Sequence, residues 1–191
     1  MPLRARVLTA LLLVSLSSFA CGGQPPTKEM QDAQTAIDAA LAAGADKYAS
    51  EEYAFAREAI QRAKAAVSEG DYRLALSSAL DSRERAQLAA QEATTKKAAA
   101  RAESESALTR VRGLVATAKT RIDGAEADRA AASALAGPKS ALASAEQHVQ
   151  EAGAAFGQGD YVKANSETAA ALQALVAVTT GLDALSPRRR R

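Results

Sequence analysis

The sequence contains very little cysteine and histidine and no tryptophan. Among its 191 residues there are one cysteine, one histidine and no tryptophan. A metal centre draws on clustered His, Cys, Asp and Glu ligands, and a Ser-His-Asp triad needs a histidine with partners. The phosphate-binding pattern Gly-x-x-x-x-Gly-Lys does not occur either. We therefore expect no enzymatic activity, no metal site and no cofactor. We expect His148 to be a solvated helix residue, with a pH switch as the alternative.

Proline and aromatic residues are also scarce, and their distribution predicts the fold class. No proline lies between Pro26 and Pro138, aromatic residues make up only 4% of the chain, and about a quarter of the chain is alanine. Alanine has the best intrinsic helix propensity, and small apolar side chains suit close helix contacts better than a thick core. The composition therefore predicts an elongated, all-α protein of one domain or two small ones.

The formal net charge of +2 comes from residues near the two ends of the chain. Without Arg4, Arg6 and the four arginines of the C-terminal tail, 18 basic residues (24 − 6) face 22 acidic ones, so the body carries about −4. A nucleic-acid-binding body would present a basic face. The sequence therefore predicts no nucleic-acid partner, and any electrostatic binding is expected from the tail.

The N-terminal segment, residues 1–20, has the three parts of a secretory signal peptide. Arg4 and Arg6 form a basic head, an apolar stretch runs from Val7 to Leu16, and small residues follow. This stretch is about ten residues long, whereas a membrane-spanning helix needs roughly 20. We therefore expect export rather than a permanent membrane span.

Cys21 directly follows this segment and is the first residue of a Gly- and Pro-rich tether, residues 21–27. The placement resembles a bacterial lipoprotein precursor, in which the cysteine becomes the lipid-modified first residue of the mature chain. Such a lipid would hold the protein firmly, because several acyl chains exceed the marginal binding of one. Ser18 and Ala20 also satisfy the small-x-small rule of ordinary signal cleavage, which would release a soluble protein with a free thiol. We expect lipid attachment at Cys21, with soluble release as the alternative.

A repeated motif, EGDY at residues 69–72 and QGDY at residues 158–161, predicts the architecture. Gly70 suits the left-handed conformation that ends a helix, and Asp71 suits the cap of the next one. Each motif therefore predicts a tight corner between two antiparallel helices. Tyr72 and Tyr161 begin the returning helices. We expect them to pack at the corner, with a surface contact as the alternative.

Helical periodicity organises the first half of the body. We expect one helix over about 28–43 and another from Ser50 to the first corner. From Asp71 the chain shows no strong stop for about fifty residues, with Thr94, Thr95 and Ser104 as the weakest points. At its start, Tyr72, Leu76 and Ala79 are expected to face the preceding helix. Its later part carries an apolar seam with the spacing of helix-packing residues, namely Leu108, Val111, Val115, Ala118 and Ile122.

The segment ALAGPKS at residues 134–140 predicts the next boundary, with Gly137 as a helix stop and Pro138 in the first turn of the following helix. Two further seams follow, the first made of Leu142, Ala145, Val149, Ala152 and Phe156, and the second of Tyr161, Ala164, Thr168, Ala171, Leu175, Val178, Leu182 and Leu185. The sequence thus predicts two tandem helical hairpins that share a long central helix. We divide the chain into residues 1–20, 21–27, 28–105, 106–186 and the basic tail 187–191.

Residues 28 to about 100 resemble a bacterial envelope family of unknown function. Its members are Ala-rich helical lipoproteins, found alone or ahead of an OmpA-like peptidoglycan-binding domain. The resemblance rests on the lipoprotein-like start, the Tyr48-Ala49 pair ahead of a helix, and the Gly-Asp-Tyr corner. Ser50 stands where the family pattern has proline. The resemblance implies an envelope location and carries no catalytic residues.

These observations lead us to expect a non-catalytic structural or adaptor lipoprotein on the periplasmic face of the bacterial outer membrane. Its helix faces would contact another envelope protein or peptidoglycan, or a second copy in a homo-oligomer. The tail, Arg188, Arg189, Arg190 and Arg191, would attract anionic cell wall or lipid, with a solvated end as the alternative. The alternative function is a soluble periplasmic binding or chaperone-like module that holds hydrophobic clients between helices.

Overall fold

The computed structural model of the protein describes residues 23–185. Within this range the chain forms six helices and no strand, which confirms the predicted all-α class. The helices are α1 (Thr27–Ala43), α2 (Ala45–Tyr48), α3 (Ser50–Ser68), α4 (Tyr72–Ala127), α5 (Ala132–Gly157) and α6 (Tyr161–Leu185).

The helices belong to two compact units, each with its own core. Unit 1 extends to Gln91 and unit 2 begins at Glu92, so α4 contributes residues to both. The sequence-based division at residues 105 and 106 stays a prediction.

The long helix α4 is continuous, a point that the sequence left open. Thr94, Thr95 and Ser104, expected to be its weakest points, are all helical. Ser104 is fully buried in unit 2, where its hydroxyl donates a hydrogen bond to Asn165 Oδ1 at 2.7 Å. A buried hydroxyl is tolerated when it is hydrogen-bonded. The polar residue therefore connects α4 to α6 instead of interrupting the helix.

The two Gly-Asp-Tyr corners have the same backbone geometry. Gly70 and Gly159 both have φ of 76°, the left-handed region that favours glycine. In the first corner the Asp71 N–H donates to the Ala66 carbonyl at 2.9 Å, and the Gly70 N–H donates to the Val67 carbonyl at 3.1 Å. The second corner repeats both bonds at 3.0 Å. This pair of bonds is the Schellman ending of a helix.

The aspartate of each corner then caps the returning helix. Asp71 Oδ1 accepts a hydrogen bond from the Leu74 N–H at 2.9 Å, and Asp160 Oδ1 accepts one from the Lys163 N–H at 3.3 Å. Both bonds satisfy an N–H that the first turn of a helix leaves unpaired. The corner predicted from the sequence is confirmed at both sites.

Unit 1 has a core of small side chains contributed by α1, α3 and α4. Its members are Ala33, Ile37, Ala56, Ile60, Ala63, Ala79 and Ala86. The buried face of α4 here is a seam of Ala75, Ala79, Ser82 and Ala86. Ser82 donates a hydrogen bond across this seam to the Ala56 carbonyl of α3 at 2.8 Å.

The expectation that Leu76 faces the preceding helix is wrong, because 38% of its surface is exposed. The neighbouring residue Ala75 is fully buried in its place. Helices that approach closely enough for a backbone carbonyl to accept a bond from a serine leave no room for leucine between them. The small residues of α4 therefore face inward and its leucines face outward in unit 1.

Unit 2 has a core of larger side chains from α4, α5 and α6. Its members are Val111, Ala118, Ile122, Leu135, Leu142, Ala145, Ala171, Leu175, Val178 and Leu182. Partly buried Val115, Val149 and Leu185 pack against this core. The seams predicted for the three helices therefore provide the inward faces of the unit.

The predicted boundary at Gly137 and Pro138 is wrong. The chain turns earlier, between Asp128 and Ala131, where Arg129 takes a left-handed φ of 61°. Pro138 lies inside α5 and is buried. A side-chain carbon added at Gly181 of α6 would lie 2.8 Å from Pro138 Cγ, so the proline ring packs directly on that glycine. This packing, with the burial of Leu135, offsets the cost of proline in a helix, about 3 kcal/mol.

Candidate functional site

Two of the predicted sites lie outside the described residues. Cys21 precedes residue 23, and Arg188, Arg189, Arg190 and Arg191 follow residue 185. Lipid attachment and the binding role of the tail therefore stay predictions.

The two corner tyrosines are described, and each is partly buried within its own unit. The ring of Tyr161 contacts Phe156 edge to face, with centroids 5.4 Å apart. Its backbone carbonyl accepts a hydrogen bond from Ser104 at 3.2 Å. Tyr72 Cδ2 lies 3.9 Å from the place where a side-chain carbon on Gly23 would stand. These contacts agree with packing at the corners, while a surface contact by either ring stays a prediction.

Unit 2 presents a groove between α4 and α6, which we call the unit 2 groove. Its volume is about 230 Å³. It is lined by Leu114, Thr117, Ala118, Arg121, Leu172, Leu175, Val176 and Thr179. Because Ala118 and Leu175 also belong to the core of the unit, the floor of the groove is continuous with that core.

The threonines of the unit 2 groove do not make it polar. The Thr117 hydroxyl donates to the Gly113 carbonyl at 3.0 Å, and the Thr179 hydroxyl donates to the Val176 carbonyl at 2.9 Å. Both donors are therefore satisfied within their own helices. At one end, Arg121 forms an ion pair with Asp183 at 2.6 Å. The groove is thus an apolar channel with one charged end.

Two large apolar side chains at the groove remain exposed. Leu114 has 43% of its surface exposed and Val176 has 64%. Neither residue was predicted from the sequence, because both lie outside the inward seams of α4 and α6. A large apolar residue that lies outside such a seam is not needed for the core, and this could have indicated an exposed apolar site.

Helix α6 is long and apolar enough, by length and composition alone, to cross a membrane. Core helices pass the same test. Here Leu175, Val178 and Leu182 of α6 all pack in the core of unit 2. This packing accounts for part of that apolar character, because 28% of the most apolar stretch of the helix is buried.

The expectation that His148 is a solvated residue without an identifiable partner is wrong. His148 Nδ1 lies 2.8 Å from Glu167 Oε2, and the exposed fractions of the two side chains are 32% and 19%. Glu167 is on α6, so this contact joins α5 to α6. Sequence spacing could not reveal it, because the partner lies on the far side of the second corner.

A comparison with protein families matches residues 28–105 to a domain of unknown function, DUF4398. This range contains α1, α2, α3 and the first part of α4. Neither the curated proteins nor the solved structures gave a match to the chain.

Proposed function

We propose that the protein is a non-catalytic adaptor lipoprotein of the bacterial envelope that docks a helix of another envelope protein in the unit 2 groove. The groove is the observation that carries this proposal. Cys21 supplies the attachment to the membrane, on the periplasmic face of the outer membrane.

The tether would keep unit 1 close to the lipid surface. Residues 21–26 separate the anchor from the first residue of α1. At about 3.3–3.6 Å per extended residue, such a segment spans at most about 20 Å. Unit 1 therefore has limited freedom to leave the membrane surface.

The size and chemistry of the unit 2 groove favour side chains of a partner helix. Its volume of about 230 Å³ is below the roughly 300–1,000 Å³ of pockets that enclose a small molecule. An amphipathic helix can instead place a few apolar anchors along an apolar channel. Leu114 and Val176 would lose exposed apolar surface on docking, and the Arg121–Asp183 pair offers a polar contact at one end.

The anchor is tested by the intact mass and N-terminal residue of the mature protein from fractionated cells. We expect an acylated Cys21 in the outer-membrane fraction, and we expect Cys21→Ser to move the protein to the soluble fraction. A parent protein that begins at an unmodified residue and is soluble would disprove the anchor.

The docking site is tested by placing a photo-crosslinking amino acid at Val176 in cells. We expect one discrete protein adduct, which Leu114→Gln should weaken. The matched control is Leu88→Gln, since Leu88 is on the same helix in unit 1 and 50% exposed. Equal adduct yields for both variants would reject the groove as the docking site. Circular dichroism should show both variants folded, because exposed substitutions usually change stability by less than about 0.5 kcal/mol.

The alternative function is a soluble periplasmic module that holds hydrophobic clients, and the same apolar groove favours it. This alternative predicts that the purified body binds an apolar dye, and that Leu114→Gln abolishes the binding. Dye binding by a soluble parent protein would favour the alternative over the adaptor.

The arginine tail is proposed as an additional contact with anionic cell wall or lipid. Each arginine near an anionic membrane surface contributes about 1 kcal/mol of attraction, which salt screens. Replacing Arg188–Arg191 by glutamine should reduce co-sedimentation with cell wall at low salt. Unchanged co-sedimentation would remove the tail from the proposal.

A further inference from the structure

Three metal-ligating side chains converge on one face of the α5–α6 hairpin. His148 and Glu151 are three residues apart on α5, which places them on the same side of that helix. Glu167 reaches them from α6. One ligand atom from each residue lies within 4.8 Å of the other two. All three side chains are partly buried.

The fold positions this cluster through the second corner. The Schellman bonds and the Asp160 cap fix where α6 begins relative to the end of α5. Fully buried Ala145, Ala152 and Ala164 keep the two helices close on either side of the cluster. The register of α5 and α6 therefore places Glu167 opposite His148, although the two residues are far apart in the sequence.

The cluster places two carboxylates beside one imidazole, which is charged only when it is protonated. Within residues 23–185, neither Glu151 nor Glu167 forms an ion pair with a lysine or an arginine. Glu151 Oε1 accepts a hydrogen bond from the neutral Gln147 at 2.9 Å. Two carboxylates that share a site repel each other unless a positive charge lies between them. A divalent cation would remove this repulsion.

We propose that His148, Glu151 and Glu167 bind a divalent transition-metal ion of the zinc class, which fastens α5 to α6. Imidazole nitrogen and carboxylate oxygen are both ligands of Zn²⁺, at about 2.0–2.2 Å. Two such ligands of a tetrahedral ion stand about 3.4 Å apart. The 2.8 Å contact between His148 and Glu167 thus needs to open by about half an ångström. Water completes the coordination.

This proposal departs from our sequence-based expectation of no metal site, and it is independent of the adaptor function. In the sequence Glu151 is three residues from His148, whereas Glu167 is 19 residues away. The third ligand, Glu167, comes close to the other two only in the folded chain, and it completes the three-residue site.

Isothermal titration with ZnCl₂ tests the proposal on the full mature chain, freed of metal and of any histidine tag. The chain carries Cys21→Ser so that a free thiol does not bind zinc. We expect one zinc ion per chain. His148→Gln and Glu167→Gln should each weaken binding more than tenfold. Glu146→Gln, which removes a carboxylate from the same helix outside the cluster, should leave it unchanged.

Thermal unfolding with and without zinc supplies a second readout. Zinc should raise the Tm of the parent and of Glu146→Gln but not of Glu167→Gln. If Glu167→Gln does not fold, Glu151→Gln takes its place, because among residues 23–185 the hydrogen bond of Glu151 is an exposed one with Gln147. Absence of zinc binding by the parent overturns the proposal. Binding that survives all three cluster substitutions places the zinc elsewhere and also overturns it.

Discussion

Unit 1 and unit 2 each contain a Gly-Asp-Tyr corner of the same geometry, but their cores are made of different side chains. Five of the seven members of the unit 1 core cluster are alanine, whereas seven of the ten in unit 2 are valine, leucine or isoleucine. The same Gly-Asp-Tyr ending thus joins helices that pack through small residues in one unit and through large ones in the other. The corner fixes the direction of the chain, and the seam decides how closely the helices approach.

The difference extends to the surface of each unit. Close packing in unit 1 leaves the leucines of its part of α4 outside, namely Leu74, Leu76, Leu80 and Leu88. In unit 2 most leucines are buried, among them Leu135, Leu175 and Leu182, whereas Leu114 stays exposed at the unit 2 groove between α4 and α6. We infer that unit 1 is sensitive to enlargement of its core and unit 2 to truncation.

The largest expected effect is truncation in unit 2. Leu182 is 5% exposed, so Leu182→Ala should reduce stability by about 2–5 kcal/mol, from lost burial and a cavity. Hydrogen exchange should show reduced protection in α5 and α6. Val176→Ala on the same helix, at an exposed position, should change little. Equal effects of the two substitutions would contradict a large-residue core.

Enlargement of unit 1 should have the next largest effect. Ala63 is fully buried against α1 and α4, and Ala63→Leu should cost about 1–3 kcal/mol through overpacking. Hydrogen exchange should report the loss in α1 and α3. Ala65→Leu, exposed on the same helix, is the control and should be nearly neutral. An Ala63→Leu protein as stable as the parent would show that the seam has spare room.

Replacing the corner glycine by alanine should reduce stability by the same amount in both units. No atom lies within 4 Å of a side-chain carbon added at Gly70 or Gly159. Alanine there would still adopt a left-handed conformation, at a cost of about 1–2 kcal/mol. Gly113 has the same open surroundings inside α4, so Gly113→Ala should instead stabilise by up to about 1 kcal/mol. Urea unfolding measures the stability of all three variants. A Gly70→Ala protein as stable as the parent would show that the corner does not require glycine.

The parts of the fold that depend on local chemistry were predictable from the sequence. Gly70 and Asp71 act within one turn of each other, so their spacing predicts the corner. The seam of α6 was also predictable, because Ala164, Leu175 and Val178 follow helical periodicity. Periodicity alone cannot say whether a helix partner is close or distant, and this is why Leu76 was placed inward.

The remaining features depend on residues that meet only in the folded chain. Pro138 continues a helix because Gly181 leaves room for its ring. Glu167 meets His148 because the corner sets the register of two helices. In the same way the unit 2 groove needs Leu114 and Val176 from separate helices. None of these pairs is marked by spacing in the sequence.

The smallest expected effect concerns charges that reinforce the alanine-rich unit. Arg85 pairs with Asp81 at 2.9 Å and with Glu52 at 3.3 Å, and its guanidinium lies 5.2 Å from the centre of the Phe55 ring. The hydrogen bond to Asp81 and the charge of that carboxylate raise the pKa of Arg85. The guanidinium therefore stays charged in ordinary buffers, and salt is the variable that weakens the network.

Arg85→Gln should accordingly lower the Tm by no more than about 4 °C at low salt, and by less in 1 M NaCl. Arg121→Gln in unit 2 is the matched comparison, because Arg121 is similarly exposed but makes one ion pair instead of two. We expect the smaller loss from Arg121→Gln. A larger loss from Arg121→Gln would mean that surface charge contributes more to the leucine-packed unit than to the alanine-packed one, which would contradict the prediction.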